Sequence, residues 1–220
     1  MQQENLSLFH LIKKPNNLIE KAPLLIMLHG YGSNEQDLFS FAGELPEDLF
    51  IISLRAPVRL EQFGYAWFEI NWNGGGSGKY GDNQQALISR DAVADFIDEA
   101  VAAYPVDPRR VTLVGFSQGT MLSLAVALTY PEKVKNVIGL SGFILPDLLD
   151  PSFKSKDFSH LSIYSSHGTA DQVIPVEWAQ QTKPFLDQLE IENTYSEFPI
   201  GHGVGPDNFK ELVEWLKSRY

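Results

Sequence analysis

Residues 115–119 read Gly-Phe-Ser-Gln-Gly, directly after the apolar run Val111-Thr112-Leu113-Val114. A serine flanked by these glycines, where a buried strand gives way to a helix, is in a position to act as a nucleophile. The turn is strained. Side chains two residues before and after the serine would collide, so glycine is needed at both places. A serine hydroxyl is a poor nucleophile until a base takes its proton, and that base needs an acid to orient it. The histidines after Ser117 are His160, His167 and His202. His202 lies in Gly201-His202-Gly203-Val204-Gly205-Pro206, between an expected strand at 195–198 and the last helix. A glycine-flanked loop there can present an imidazole at the carboxyl edge of a sheet, so His202 is the expected base. His167 ends an expected strand and reads as a packed histidine. His160 sits in a polar segment and reads as a surface residue.

The acid has two candidates. Asp171 follows an expected strand at 161–166, with Pro175 opening the next helix. Asp147, in Leu145-Pro146-Asp147, follows the strand before it. Asp171 is favoured, and either aspartate could instead cap a helix or close an Asx-turn. A developing oxyanion needs two preorganised N–H donors. The backbone of Gln118, the residue after the serine, is one. The other is assigned to the Tyr31 N–H, in the loop Leu28-His29-Gly30-Tyr31-Gly32 that follows the run 24–28. His29 precedes Ser117 in the chain, and its ring is read as holding that loop in shape.

These residues need a scaffold that brings distant segments to one edge. Continuous apolar runs at 24–28, 50–54 and 111–114, with weaker ones at 137–140 and 161–164, suit parallel strands covered on both faces. Between them Val93, Phe96, Ile97, Ala100, Val101 and Tyr104 recur at helical spacing. Trp178, Thr182, Phe185, Leu186 and Leu189 do the same, and so do Phe209, Leu212, Val213, Leu216 and Tyr220. Alternating strands and helices predict an α/β fold, a doubly wound and mostly parallel sheet with helices on both faces. An antiparallel edge strand is expected within 6–12. No repeat or linker is evident, so residues 1–220 are expected to form a single domain. About twenty residues separate the runs near 140 and 161, too few for a large lid domain. The glycine-rich stretch 73–82 reads as a mobile loop.

Bulk properties narrow the partners. The net charge is −11, from 17 basic and 28 acidic residues, which repels phosphate backbones and anionic lipid. Nucleic acid is therefore not an expected partner. With no cysteine, disulfides, thiolate metal sites and cysteine nucleophiles are excluded. Met1-Gln2-Gln3-Glu4 lacks the basic start of a secretory signal, and no apolar run is long enough to span a bilayer. A cytoplasmic protein without stable membrane insertion is expected. A homodimer is compatible with the sequence and required by nothing in it.

Taken together, Leu28-His29-Gly30-Tyr31-Gly32, Arg55-Ala56-Pro57, Trp67-Phe68, Asp107-Pro108-Arg109-Arg110-Val111, the elbow at 115–119, Ser141-Gly142 and His167-Gly168 with Asp171 and Pro175 resemble the phospholipase/carboxylesterase family. That family includes the acyl-protein thioesterases and small bacterial carboxylesterases. The resemblance runs from about residue 20 to the carboxyl terminus. It implies a compact α/β-hydrolase fold without a large lid. Ser117, Asp171 and His202 match the family's triad, and Tyr31 and Gln118 match its oxyanion positions. Thr120 departs from the family, standing where a second glycine usually follows the elbow. The loop Tyr31-Gly32-Ser33-Asn34-Glu35-Gln36-Asp37 looks more like the bacterial carboxylesterase branch than the eukaryotic thioesterases.

Tyr65, Trp67, Phe68 and Trp72 cluster before the glycine-rich stretch, and Phe143, Ile144 and Leu145 follow the strand beyond the elbow. In the family these regions border an acyl groove, so Trp67 and Leu145 are the expected substrate contacts. The expectation is a serine carboxylesterase acting on small-molecule esters of short to medium acyl chains, with no metal and no cofactor. An acyl-thioesterase or lysophospholipase of the same family is the alternative. A non-catalytic binding protein on the same fold is a third reading, which the intact candidate triad disfavours.

Overall fold

The computed structural model describes residues 4–17, 20–61, 63–70 and 83–220. The elements run β1 (His10–Lys13), β2 (Ala22–Leu28), α1 (Gln36–Phe39), β3 (Phe50–Leu54), β4 (Val58–Arg59), β5 (Tyr65–Ala66) and α2 (Asn83–Ala103). Then follow β6 (Val106–Phe116), α3 (Gln118–Thr129), β7 (Asn136–Leu140), β8 (Ser162–Gly168), α4 (Val176–Gln180), α5 (Thr182–Gln188), β9 (Glu192–Phe198) and α6 (Pro206–Lys217). Seven strands form one sheet in the order β1-β3-β2-β6-β7-β8-β9. All pairs are parallel except β1 with β3. The expected antiparallel edge strand is β1, beginning at His10 rather than nearer residue 6. β4 and β5 make a separate two-stranded hairpin.

Alternate residues of a strand face opposite sides of a sheet. Leu24, Ile26 and Leu28 join one core with Val93, Phe96 and Ile97 of α2 and Leu122 and Val126 of α3. Leu25 and Met27 join a second core with Leu38 of α1 and Leu212 and Leu216 of α6. Burial on both faces is why β2 reads as an unbroken apolar run. Every residue of α3 is buried, Gln118, Thr120, Ser123 and Thr129 included, so that helix is covered on all sides. In contrast, α6 buries one stripe and keeps charge on the other side.

The strand order places a switch point between β2 and β6. From β2 the chain passes to β3 on one side; from β6 it passes to β7 on the other. Loops leaving the carboxyl ends of such a pair diverge and leave a crevice between them. The loop at His29–Tyr31 and the elbow at Ser117 border that crevice. Asp171 follows β8 and His202 follows β9 at the same edge.

One expected helix is broken. The periodic set from Trp178 to Leu189 is split between α4 and α5. Pro184 falls in the first turn of α5 and has no N–H to give to the Gln180 carbonyl, so the helix restarts there. Trp178 accordingly leaves the apolar face. It is 45% exposed and meets Phe143 edge-on. Trp72 and the stretch 73–82 lie outside the described residues.

Candidate active site

Ser117 is the residue before α3 and has φ 53° and ψ −113°, a backbone conformation that costs a non-glycine residue energy. The glycines around it are sterically required. A Cβ at Gly115 would stand 2.3 Å from the Gly119 carbonyl oxygen, and one at Gly119 would stand 2.0 Å from the Leu28 carbonyl oxygen. Both obstacles are backbone, so neither can rotate away. We therefore expect Gly119→Ala to destabilise the fold by about 3 kcal/mol or more, read as a lowered urea midpoint. An unchanged midpoint would contradict this packing.

Thr120, the departure from the family pattern, staples the elbow. Its Oγ1 lies 2.8 Å from the Gly115 and Leu140 carbonyl oxygens and accepts the Leu140 N–H at 2.9 Å. The Ser117 N–H also reaches the Leu140 carbonyl, at 2.8 Å. The ends of β6 and β7 are thus tied to the turn that raises the serine.

The three side chains picked from the sequence meet in one hydrogen-bonded chain. The Ser117 hydroxyl is 3.0 Å from His202 Nε2, and His202 Nδ1 is 2.7 Å from Asp171 Oδ2. The His202 ring packs against Phe116 with centroids 5.0 Å apart. The Asp171 side chain is fully buried, and its Oδ1 accepts the Val173 and Ile174 N–H groups at 2.8 and 2.9 Å. Burial pushes the Asp171 carboxyl up. The hydrogen bonds from His202, Ile174 and Val173 outweigh it and hold the group below the ordinary aspartate value. It therefore stays a carboxylate beside the imidazole. The competitor Asp147 is exposed and pairs with the Asn83 amide at 3.2 Å.

His202 is not presented by glycine freedom in the way its flanks suggest. A Cβ at Gly203 would meet nothing within 4 Å, and one at Gly201 only the Ala170 carbonyl oxygen at 3.9 Å. The close approach is at Gly168, where a Cβ would stand 2.3 Å from the Ile200 carbonyl oxygen. The Thr169 and Ala170 N–H groups bond the Phe198 and Ile200 carbonyls at 2.8 and 3.0 Å. The loops bearing Asp171 and His202 are thus fastened to each other. His160, read as a surface residue, is half-buried and donates from Nε2 to the Pro131 carbonyl at 2.7 Å.

The loop that carries Tyr31 is held from three sides. His29 donates from Nδ1 to the Gly30 carbonyl at 2.7 Å and accepts the Ala56 N–H on Nε2 at 3.1 Å. Glu35 is buried and takes a two-pronged hydrogen bond from Arg55, both contacts at 2.6 Å. That guanidinium holds the Glu35 carboxyl below the ordinary glutamate value. Trp67 donates from its indole to the His29 carbonyl at 2.9 Å. Sequence reasoning missed the Glu35–Arg55 pair. Arg55 belongs to the Arg55-Ala56-Pro57 motif, but nothing local shows that Glu35 is buried.

Trp67 corrects an expectation. It was expected to line a substrate groove, yet it is 0% exposed and lies in the core beneath the Tyr31 loop. Its backbone N–H is accepted by the Gln118 side chain at 2.9 Å, and that side chain donates to the Phe68 carbonyl at 2.7 Å. Gln118, whose main-chain amide is the expected oxyanion donor, thus clamps the Trp67–Phe68 backbone with its side chain. Leu145 is half-buried against the core. An open cleft of about 280 Å³ stands over the serine, with Tyr31, Ile70, Phe116 and Val173 on its walls beside Ser117 and His202.

His29 makes stability depend on pH. Burial, against a weaker opposing pull from the Gly30 carbonyl, lowers its pKa from the ordinary 6.5. Below that value the unfolded chain takes up a proton that the folded one refuses. The stability contribution is complete above pH 6.5 and is lost as pH falls through the lowered folded value. Urea midpoints should fall between pH 7.5 and about 5, and fall less steeply in His29→Asn. Equal slopes in the two proteins would contradict this account.

A parallel sheet wound on both sides, with a serine on a strained strand-to-helix turn and histidine and aspartate following at the same edge, defines an α/β-hydrolase. A carboxylesterase from Bacillus cereus has this fold, with a TM-score of 0.84 over 98% of this chain and 96% of that one, at 20% identity. The chain belongs to the phospholipase/carboxylesterase family, whose pattern matches residues 13–219. A probable carboxylesterase, SOBER1-like, from Arabidopsis thaliana is 30% identical over 155 residues, 70% of this chain and 59% of the relative. Acyl-protein thioesterase 1 of Saccharomyces cerevisiae is 29% identical over 160 residues, 70% of this chain and 68% of the relative. The match thus spans about three fifths of the Arabidopsis protein's length. Among the described residues no helix is long and apolar enough to cross a membrane.

Proposed function

We propose that this chain is a serine carboxylesterase acting on small-molecule esters of short to medium acyl chains. The observation that carries the reading is the hydrogen-bonded chain from Ser117 through His202 to Asp171. In the proposed reaction the Ser117 oxygen attacks the carbonyl carbon and its proton passes to His202 Nε2. Asp171 holds the Nδ1–H and stabilises the imidazolium. The Gln118 and Tyr31 main-chain N–H groups receive the oxyanion. Collapse of the tetrahedral intermediate expels the alcohol, which takes its proton from His202. Water activated by the same imidazole then releases the acyl group and frees the serine. Leu145 is proposed to meet the acyl chain. Its support is the family resemblance of that segment; its half-buried side chain packs against the core and is not among the residues that line the cleft over Ser117.

Likeness to the yeast acyl-protein thioesterase favours a second reading, thioester hydrolysis by the same groups. The test is a panel of p-nitrophenyl esters from acetate to palmitate beside an acyl thioester. The proposal expects the highest kcat/KM on an oxyester of short or medium chain. A thioester turned over faster than every oxyester would replace it with the second reading.

A further inference from the structure

We propose that His167 is a positioning residue for the Asp171 carboxylate, a role that rests on the reaction proposed above. His167 lies near the end of β8, and its side chain and that of Asp171 are both 0% exposed. His167 Nε2 stands 2.9 Å from the Ile174 carbonyl oxygen and 3.2 Å from Asp171 Oδ2. A carbonyl oxygen can only accept, so the proton sits on Nε2. Nδ1 is buried and has no hydrogen-bond partner among the described residues.

These contacts close a ring of interactions. Asp171 Oδ1 accepts the Ile174 N–H, and the Ile174 carbonyl accepts the His167 Nε2–H. The same Nε2, its hydrogen directed at the Ile174 carbonyl, stands 3.2 Å from Oδ2, the oxygen that receives His202 Nδ1–H. His167 therefore fixes the turn 171–174 at its far end. It also sets the positive end of an N–H dipole beside the carboxylate oxygen that orients the base. Packing alone does not account for it. A bare ring nitrogen buried without a partner is costly, and an apolar side chain would fill the space without that cost. The Nε2–H is what this position supplies.

The test begins with the parent protein, labelled with ¹⁵N-histidine. Nε2 of His167 should be pyrrole-type and Nδ1 pyridine-type; the opposite tautomer would overturn the proposal. Two variants follow, each checked for folding by its thermal melt. His167→Leu fills the space without a donor, and His167→Gln keeps one near the Nε2 position. His167→Leu should lower kcat by about tenfold to a hundredfold with KM within about twofold. It should also displace the low-field proton resonance of the His202–Asp171 hydrogen bond. His167→Gln should recover most of kcat and return that resonance. Equal losses in both variants, or parent-like behaviour of His167→Leu, would overturn the role. If His167→Leu fails to fold, the His167→Gln resonance and the parent tautomer decide it in the same sense. If the parent hydrolyses no ester, the proposed function fails, while both NMR readouts still judge His167.

Discussion

Ser117→Ala should lower kcat on any ester the parent cleaves by at least about 10⁴-fold, with KM little changed. Removal of Oγ deletes the group that attacks the carbonyl in the proposed reaction, and the main-chain bonds of the elbow do not use it. The Ser117 N–H still reaches the Leu140 carbonyl, and its own carbonyl still accepts the Thr120 N–H at 3.0 Å. Alanine and serine pay a similar penalty for the positive φ of that turn. The variant should therefore melt close to the parent, which separates lost chemistry from lost fold. Steady-state kinetics with a p-nitrophenyl ester checks it. Retention of more than about a tenth of the parent rate would exclude Ser117 as the nucleophile.

Asp171→Asn should cost about 10³-fold to 10⁴-fold in kcat, while Asp147→Asn should stay within about twofold. An amide NH₂ facing His202 Nδ1 would turn that nitrogen into an acceptor. The ring proton would then sit on Nε2, where the Ser117 proton must arrive. The asparagine oxygen can still accept the Val173 and Ile174 N–H groups, while its NH₂ replaces Oδ2 beside His167 Nε2 as well as beside His202. Asp147 is exposed and paired with Asn83, so its charge does not bear on His202. The same assay distinguishes the two variants. A large loss in Asp147→Asn with a small one in Asp171→Asn would reverse the assignment of the acid.

Much of this site was legible because its steric and chemical demands fall on residue identity. The elbow glycines are forced because an added Cβ would stand near 2 Å from backbone oxygens, and such demands leave a fixed pattern in a sequence. The sheet was legible because burial on both faces leaves continuous apolar runs, of which β2 is the clearest. Trp67 was not, because a core aromatic and a groove aromatic have the same identity and differ only in what covers them. The Gln118 clamp joins positions 51 residues apart, and the Glu35–Arg55 pair joins positions 20 apart. No local pattern announces either. The break between α4 and α5 was signalled by Pro184, but the apolar spacing of Trp178 to Leu189 concealed it.

The central claim is that Ser117 forms a covalent acyl intermediate, and trapping it is the most direct measurement. A p-nitrophenyl phosphonate ester presents a tetrahedral phosphorus that an activated serine attacks irreversibly. The account predicts release of one equivalent of p-nitrophenol, complete loss of esterase activity, and a phosphonyl mass increment on the peptide containing Ser117. Loss of activity with the increment on another residue, or full activity with no increment after prolonged exposure, would contradict it.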